Sequence, residues 1–313
     1  MTDIAPPDRL DLQIIEALRA NPLTTNKAMA RRFGVAEPTV ASRIRNMAER
    51  GAMRVTVQRD LAALGFNVFA FLDIYSDGRP AAEIATDLMA IEQLTSVVSS
   101  LGGPELLVNA YAQTHASLQL LVEGPLASTP GIRRVELHVC LETIKHLAGY
   151  GNLSKSISDG LAAPTPEDID EAIIALLAMD GRRSNRDIAR QLDLSEGTIR
   201  QRLRRMTEGK IISRGVVCDP AMIGQTISAI ARMWVDPAHA SALASALCES
   251  SACFFAAKTA GQFNFIALFV TDTLEAVEAA LASVTAQAAG ALAIDVKVIT
   301  RSFKHRYDLA NLV

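Results

Sequence analysis

The sequence lacks the motifs that identify the common classes of enzyme. It contains no GxGxxG or GxxxxGK[ST] phosphate loop and no GxSxG nucleophile elbow. Its five histidines are scattered, and no two lie four residues apart, as a helical metal site requires. We therefore expect no catalytic residue, no metal and no cofactor, and we predict that the protein is not an enzyme.

Cysteine pairs and long apolar runs are also missing. The four cysteines form no CxxC pair, so we expect them to be small buried residues in a reducing compartment. No apolar run approaches the roughly 18–20 residues that span a bilayer. The first residues are acidic and rich in proline, unlike a signal peptide. These features predict a cytoplasmic globular protein that does not contact a membrane.

Positive charge is concentrated in one segment, although the net charge of the chain is −3. Residues 182–214 carry ten arginines and lysines against four acidic side chains. Such a basic module is typical of a surface that contacts nucleic acid.

The segment 184–208 reads as two short helices joined by a tight turn. In the second helix Ile199, Leu203 and Met206 form one apolar stripe. Gln201 and Arg204 lie opposite the stripe, a pattern that suits the major groove of DNA. We interpret the segment as a helix-turn-helix with its recognition helix at about 196–208. Alone, it fits a solvated amphipathic helix about as well.

An internal repeat favours the first interpretation. With an offset of 159 residues, positions 10–66 align with 169–225 without a gap, and Asp11/Asp170 and Arg43/Arg202 are among the identical pairs. Chance similarity does not preserve a helical stripe over such a length, so the chain is a tandem duplication. We call residues 1–148 copy one and residues 167–313 copy two.

Each helix-turn-helix is followed by the order β-α-β-β-α-β. In copy one we predict strands at 66–75, 96–101, 105–112 and 132–141, with helices at 81–92 and 115–123. In copy two we predict strands at 226–235, 252–259, 263–271 and 292–300, with helices at 238–249 and 273–288. This is the ferredoxin-like arrangement, an antiparallel sheet with both helices on one face. The other face needs a partner, either the second copy or another chain.

The predicted fold class is therefore α+β, with two winged-helix-like helix-turn-helix domains that each precede a ferredoxin-like domain. A segment rich in Gly, Ser and Pro separates the copies. The predicted domains are a helix-turn-helix at 1–65, a sheet domain at 66–148, a linker at 149–166, a second helix-turn-helix at 167–225 and a second sheet domain at 226–313.

This organisation resembles the Lrp/AsnC family of transcriptional regulators. The opening of copy two is similar to the pattern of that family, with Asp170, the Asp-Gly-Arg turn at 180–182 and Leu194-Ser195 before the recognition helix. The resemblance covers essentially the whole chain twice, whereas family members usually carry one such unit. It implies a sequence-specific regulator that binds double-stranded DNA, responds to a small-molecule effector such as an amino acid, and forms homo-oligomers through its sheet domains.

The two copies are predicted to differ in DNA contact. In copy one Ala36 replaces the capping Ser195, and Asn21-Pro22 replaces the Asp-Gly-Arg turn. We expect copy two to read sequence and copy one to add affinity for phosphates. The predicted DNA-contacting residues are Ser195, Gly197, Thr198, Arg200, Gln201, Arg202, Arg204 and Arg205 of copy two, and Thr39, Ser42, Arg43 and Arg45 of copy one.

The resemblance also places an effector near the turn between the second and third strands of each sheet domain. The residues concerned are Gly102, Gly103 and Glu105 in copy one, and Gly261, Gln262 and Asn264 in copy two. The alternative is that these glycines only close hairpins.

A second family leaves an enzymatic alternative open. Sirohaem decarboxylases resemble the same architecture, can occur as fused pairs, and rely on histidines around this hairpin. Neither VVSSLGGPELLVNAY nor FFAAKTAGQFNFIAL contains a histidine. The sequence therefore favours a regulator over such an enzyme.

Overall fold

The structure, a computed structural model, describes residues 7–50, 52–59, 65–146, 168–218, 226–288 and 292–305. The predicted linker at 149–166 lies outside these residues. Among the described helices, none has the length and apolar character needed to cross a bilayer.

Each copy begins with three helices and a strand. The elements of copy one are α1 (Arg9–Ala20), α2 (Asn26–Phe33), α3 (Glu37–Glu49) and β1 (Met53–Arg59). Those of copy two are α6 (Asp168–Met179), α7 (Asn185–Leu192), α8 (Glu196–Glu208) and β6 (Ile212–Cys218). The apolar stripe predicted for α8 is buried: Ile199 and Met206 are fully inaccessible and Leu203 is nearly so. The two-helix motif predicted from the periodicity is thus present in both copies.

Four strands and two further α-helices follow in each copy. Copy one has β2 (Val68–Ser76), α4 (Ala81–Met89), β3 (Leu94–Ser100), β4 (Leu106–Ala112), α5 (His115–Leu121) and β5 (Ile132–His146). Copy two has β7 (Ile227–Val235), α9 (Ala240–Glu249), β8 (Cys253–Ala260), β9 (Phe265–Thr271), α10 (Leu274–Ala288) and β10 (Leu292–His305). The strand order is β5-β2-β4-β3 in copy one and β10-β7-β9-β8 in copy two.

The two sheets join into one closed eight-stranded barrel. Strand β5 pairs with β8, and β10 pairs with β3, so each closing strand crosses to the other copy. The pairs Cys140↔Thr259 and Ile299↔Ser100 are related by the 159-residue offset, which shows that the two junctions are pseudo-symmetric. The partner that the bare sheet faces require is therefore the other copy within the same chain.

The barrel interior is filled by side chains from both sheets. Phe69, Phe71 and Tyr111 of copy one pack with Phe255 and Ile266 of copy two in one buried cluster. The rings of Phe69 and Tyr111 stack with centroids 4.5 Å apart. Burial of large aromatic side chains from both copies is a major favourable contribution to their association.

The helix-turn-helix units are also joined across the copies. Strands β1 and β6 form an antiparallel pair centred on Thr56↔Gly215, two positions related by the same offset. Val216 lies in the core of copy one and Val57 lies in the core of copy two. Each unit therefore completes its core with residues of the other, although the sequence predicted them as separate domains.

The structure corrects two sequence-based expectations. The closing strands were predicted at 132–141 and 292–300, but they extend to His146 and His305, and Arg301 pairs with Ser99 in the barrel. The extensions form because each strand has a partner in the other copy, which the sequence of one copy does not reveal. Among the cysteines, Cys248 is exposed, contrary to the expectation that all are buried.

A glycine fixes the approach of α6 to β1. The Gly181 N–H donates to the Val55 carbonyl at 2.8 Å, and a Cβ on Gly181 would lie 2.9 Å from the Thr56 nitrogen. No real Cβ lies that close to a backbone atom, so a side chain here forces the two copies apart.

We predict that Gly181→Ala lowers the free energy of unfolding by about 1–3 kcal/mol, because the added methyl group meets backbone rather than a flexible side chain. Urea titration followed by circular dichroism measures the change. Gly124→Ala is the matched control, since a Cβ there has no neighbour within 4 Å and the φ of Gly124 is negative. Equal stability of the two variants would contradict the close packing of α6 against β1.

Candidate nucleic-acid interface and effector region

The recognition helix of copy two begins at a side-chain cap. The Ser195 hydroxyl accepts a hydrogen bond from the Thr198 N–H at 3.0 Å, and Ser195 has the extended backbone of an N-cap. The preceding α7 ends at Asp193, which adopts a left-handed conformation with φ 54°. These two residues set the angle at which α8 leaves the turn.

The outer face of α8 is exposed and carries paired charges. Gly197, Gln201 and Arg204 are exposed, as predicted. The Arg204 guanidinium donates to Glu208 at 2.7 Å, and Arg200 donates to Glu196 at 3.0 Å. The hydrogen bond that Arg204 donates to Glu208 raises the pKa of Arg204 above its ordinary value. Exposed pairs of this kind are weak and exchange readily for a phosphate or a base edge.

Two arginines of the predicted interface instead bind a buried carboxylate. Asp170 on α6 is fully buried and accepts hydrogen bonds from Arg202 at 3.0 Å and from Arg205. Arg202 is largely buried, whereas Arg205 remains nearly half exposed. The ion pairs fix α8 against α6. Arg202 therefore supports the recognition helix on the face that packs against α6, opposite its exposed face.

Copy one repeats this internal support. The Arg43 guanidinium donates to Asp8 at 2.6 Å and to Asp11 at 3.3 Å. The hydrogen bond to Asp8 raises the pKa of Arg43 above its ordinary value. Because Asp11 and Arg43 are equivalent to Asp170 and Arg202, the identity of these residues between the copies has a structural explanation.

The outer face of α3 offers fewer groups than that of α8. Ser42 and Arg45 are exposed and Thr39 is half-buried. Ala36 occupies the N-cap position and makes no side-chain hydrogen bond. The structure thus places both predicted faces on the surface, with the richer set of polar groups in copy two.

The predicted effector residues lie in the two hairpin turns of the barrel. Glu105 accepts a hydrogen bond from the Ser76 N–H at 3.0 Å, and Asn264 accepts one from the Val235 N–H at 3.0 Å. The pairs Glu105/Asn264 and Ser76/Val235 are equivalent under the offset. Both side chains therefore hold their turns against the end of the first strand of the sheet.

The two turns differ in what surrounds their glycines. A Cβ on Gly261 would lie 2.6 Å from Nδ1 of His138, so the backbone of this exposed turn lies directly against copy one. Gly102 has no atom within 4 Å of its Cβ position, and the neighbouring Leu101 is 74% exposed. Gly103 packs on the ring of Tyr75, and Gln262 is exposed.

A buried charged cluster lies where the first strands of the two sheets face each other. The Arg232 guanidinium donates to Asp73 and to Asp295, and Nε2 of His138 lies 3.3 Å from Asp73. Arg232 also lies over the ring of Phe263 at 5.2 Å. Sequence reasoning missed this cluster. Its signal was a single charge inside each of two apolar strands, FNVFAFLDIY and ISAIARMWV, at positions 159 residues apart.

The same cluster contains three groups that have the chemistry of metal ligands. Asp73, Glu136 and His138 offer ligand atoms within 4.8 Å of one another. The carboxylate of Asp73 is occupied by the Arg232 guanidinium, whose positive charge opposes a cation at this position. The arrangement fits an internal ion pair better than a metal centre.

Comparison with known families matches both kinds of module. The profile of the AsnC-type helix-turn-helix domain matches residues 8–48 and 167–207, and that of the Lrp/AsnC ligand binding domain matches residues 69–149. Together they match more than half of the chain. The ligand-binding profile matches copy one, and the helix-turn-helix profile matches both copies.

Two related regulators each align with less than half of this chain. The uncharacterized HTH-type transcriptional regulator PH1692 of Pyrococcus horikoshii is 27% identical over 139 residues, which are 44% of this chain and 93% of the relative. The HTH-type transcriptional regulator Ptr1 of Methanocaldococcus jannaschii is 27% identical over 137 residues, again 44% of this chain and 93% of the relative.

One solved structure is similar over almost the whole length. The siroheme decarboxylase NirDL covers 95% of this chain and 93% of its own, with a TM-score of 0.64 and 13% sequence identity. At this identity the likeness concerns the fold. It shows that the paired arrangement of the two copies occurs in another protein.

The capping difference between the copies gives a paired prediction. Ser195→Ala should destabilise the start of α8 by about 1 kcal/mol, and Ala36→Ser should stabilise the start of α3 by a similar amount. Amide hydrogen exchange of Thr198 and Thr39 measures the two effects, since each amide lies three residues after its cap. Exchange at Thr198 that is unchanged in Ser195→Ala would show that the hydroxyl does not cap the helix.

Proposed function

We propose that this chain, which belongs to the Lrp/AsnC family of transcriptional regulators, binds DNA as a dimer contained in one polypeptide. The observation that carries the proposal is the β1–β6 pair, which relates the two recognition helices by a pseudo-twofold axis centred on Thr56 and Gly215. A twofold arrangement of helix-turn-helix units matches the inverted half-sites of an operator. One chain then supplies both halves, and it acts in the cytoplasm.

The two half-sites are expected to be unequal. Helix α8 presents Gln201 and Arg204, side chains that pair with adenine and guanine edges, together with Gly197, Thr198 and Arg200. Helix α3 presents Arg45 with Ser42 and Thr39, which suit phosphate contacts. We assign Arg43, Arg202 and in part Arg205 to positioning the helices, because their partners are carboxylates of the first helix of each unit, Asp11 on α1 and Asp170 on α6.

Each sheet domain is best described as a ferredoxin-like βαββαβ module. The order β5-β2-β4-β3, with α4 and α5 contributing to the core outside the barrel, supports this assignment. Since the inner faces of both sheets are covered within the chain, association of further chains uses outer surfaces. The closing strands expose Leu137, Leu141 and Val296 there.

A small-molecule effector, such as an amino acid, is proposed to bind at the turn of copy one. No atom lies within 4 Å of the Gly102 Cβ position, which leaves room for a ligand, whereas the Gly261 Cβ position meets His138, and Phe263 packs with His138 and Arg232. The thermal midpoint of the protein is measured with each of the twenty amino acids at millimolar concentration, and an amino acid that binds should raise it. Loss of that rise in Gly102→Ala, but not in Gly124→Ala, supports the site; no rise with any amino acid counts against this class of effector.

A sirohaem decarboxylase is the second candidate, favoured by the fold likeness to NirDL. The hairpins of both copies, which the structure describes fully, carry no histidine. His138 lies against the turn of copy two, where it is buried under Gly261 and beside Phe263. Titration with sirohaem separates the candidates: a tight complex with a shifted Soret band would favour the enzyme.

The DNA-binding proposal predicts different losses for two equivalent arginines. Arg204→Ala should cost about 1–3 kcal/mol on the preferred DNA and much less on random DNA, because a base contact is lost. Arg45→Ala should weaken binding to both by similar, smaller amounts. Fluorescence anisotropy with selected and random duplexes at two salt concentrations measures both, and affinity should fall steeply with salt. Equal loss on both duplexes for Arg204→Ala, or no dependence on salt, would contradict the proposal.

A further inference from the structure

The central ion pair of the barrel joins two equivalent positions. Asp73 in β2 and Arg232 in β7 are 159 residues apart, which is the offset of the repeat, and they bond directly to each other. Their side chains are 2% and 3% exposed. In a symmetric pair of identical modules, a residue on the twofold axis faces its own copy. Here the axis passes between residues of opposite charge.

We infer that this pair makes the two sheet modules selective for each other: copy one accepts only a module of the copy-two type, and copy two only a module of the copy-one type. Pairing of copy one with copy one would bury two aspartates against each other. Pairing of copy two with copy two would bury two arginines. An uncompensated buried charge is strongly destabilising, so both like-with-like pairs are rejected.

The neighbouring positions extend the same complementarity. Glu136 and Asp295 are equivalent under the offset, as are His138 and Lys297. The face of copy one therefore carries Asp73 and Glu136 beside a histidine. The face of copy two carries Arg232 and Lys297, which both form ion pairs with Asp295. The distance from Lys297 to Asp295 is 3.0 Å. One face is acidic and the other has an excess of positive charge. A gene duplication permits this difference, since each copy mutates independently, whereas a homodimer cannot acquire it.

Charge reversal in the full-length chain tests the pair. Asp73→Arg and Arg232→Asp should each lower the thermal midpoint on the order of 10 °C. The double variant that exchanges the residues should recover at least half of the loss, because Glu136 then stands beside the new arginine as Asp295 stands beside Arg232. Single variants that melt like the wild type, or a double variant no more stable than the singles, would overturn the inference.

An exposed ion pair across the same boundary provides the control. Lys258 of β8 binds Glu142 of β5 at 2.7 Å, with side chains 35% and 58% exposed. Glu142→Lys should shift the midpoint by no more than about 2 °C, because solvent screens this pair. If the charge reversals at Asp73 and Arg232 prevent folding, Asp73→Asn, Arg232→Gln and their double variant replace them. The double variant should then lose less stability than the sum of the losses in the two single variants. A loss in the double variant equal to that sum would overturn the inference.

Selection between modules is measured by mixing chains. Differently tagged Asp73→Arg and Arg232→Asp chains are co-expressed. The first chain then has arginine at both positions and the second has aspartate at both. Opposite charges therefore meet only when copy one of one chain pairs with copy two of the other. We expect the ratio of mixed to unmixed complexes to exceed that of two tagged wild-type chains by at least about tenfold. The mixed complex should melt within a few degrees of the wild type. The same ratio as for wild-type chains would show that the pair does not select the partner.

Discussion

The whole architecture depends on the requirement that each four-stranded sheet cover its inner face. A sheet with helices on one side leaves the other side exposed to water, and in each copy that side carries large apolar side chains such as Phe69 and Phe255. The chain meets this requirement internally, because β5 and β10 each cross to the opposite sheet and close a barrel. Once the barrel is closed, the two helix-turn-helix units are brought together as well. The β1–β6 pair then fixes their relation, since each unit completes the core of the other.

Duplication within one chain allowed the two halves to diverge. The pseudo-symmetry survives in the register of the strands and in the ion pairs that anchor the recognition helices, Asp11 with Arg43 and Asp170 with Arg202. It is broken in three places. The cap Ser195 has no counterpart in copy one, the turn at Gly102 is open while that at Gly261 is packed, and Asp73 faces Arg232. A symmetric homodimer cannot make these distinctions, and the proposal of two unequal half-sites rests on the first of them.

Most of the local structure could be predicted from the sequence, because it depends on neighbours in the chain. The stripe of Ile199, Leu203 and Met206 predicted α8, and the recurrence of that stripe after 159 residues established the duplication. The resemblance to the Lrp/AsnC family is confirmed by the two family profiles. The pairing of the copies could not be predicted in the same way. The registers of β5 with β8 and β1 with β6 are long-range contacts, and the apolar patterns specify only which face is buried. The effector region and the DNA contacts remain predictions.

The central claim, that copy one pairs with copy two of the same chain, is tested most directly by a single engineered cysteine. Thr259 is the partner of the native Cys140 across the β5–β8 junction, and directly paired strand residues lie within disulfide range. Burial raises the pKa of Cys140 to about 11, so oxidation is carried out at high pH, in a Cys248→Ser background that removes the exposed thiol. The account predicts that Thr259→Cys forms a disulfide within one chain, seen as a monomer on a non-reducing gel with the two peptides joined. Disulfide-linked dimers as the main product would contradict it.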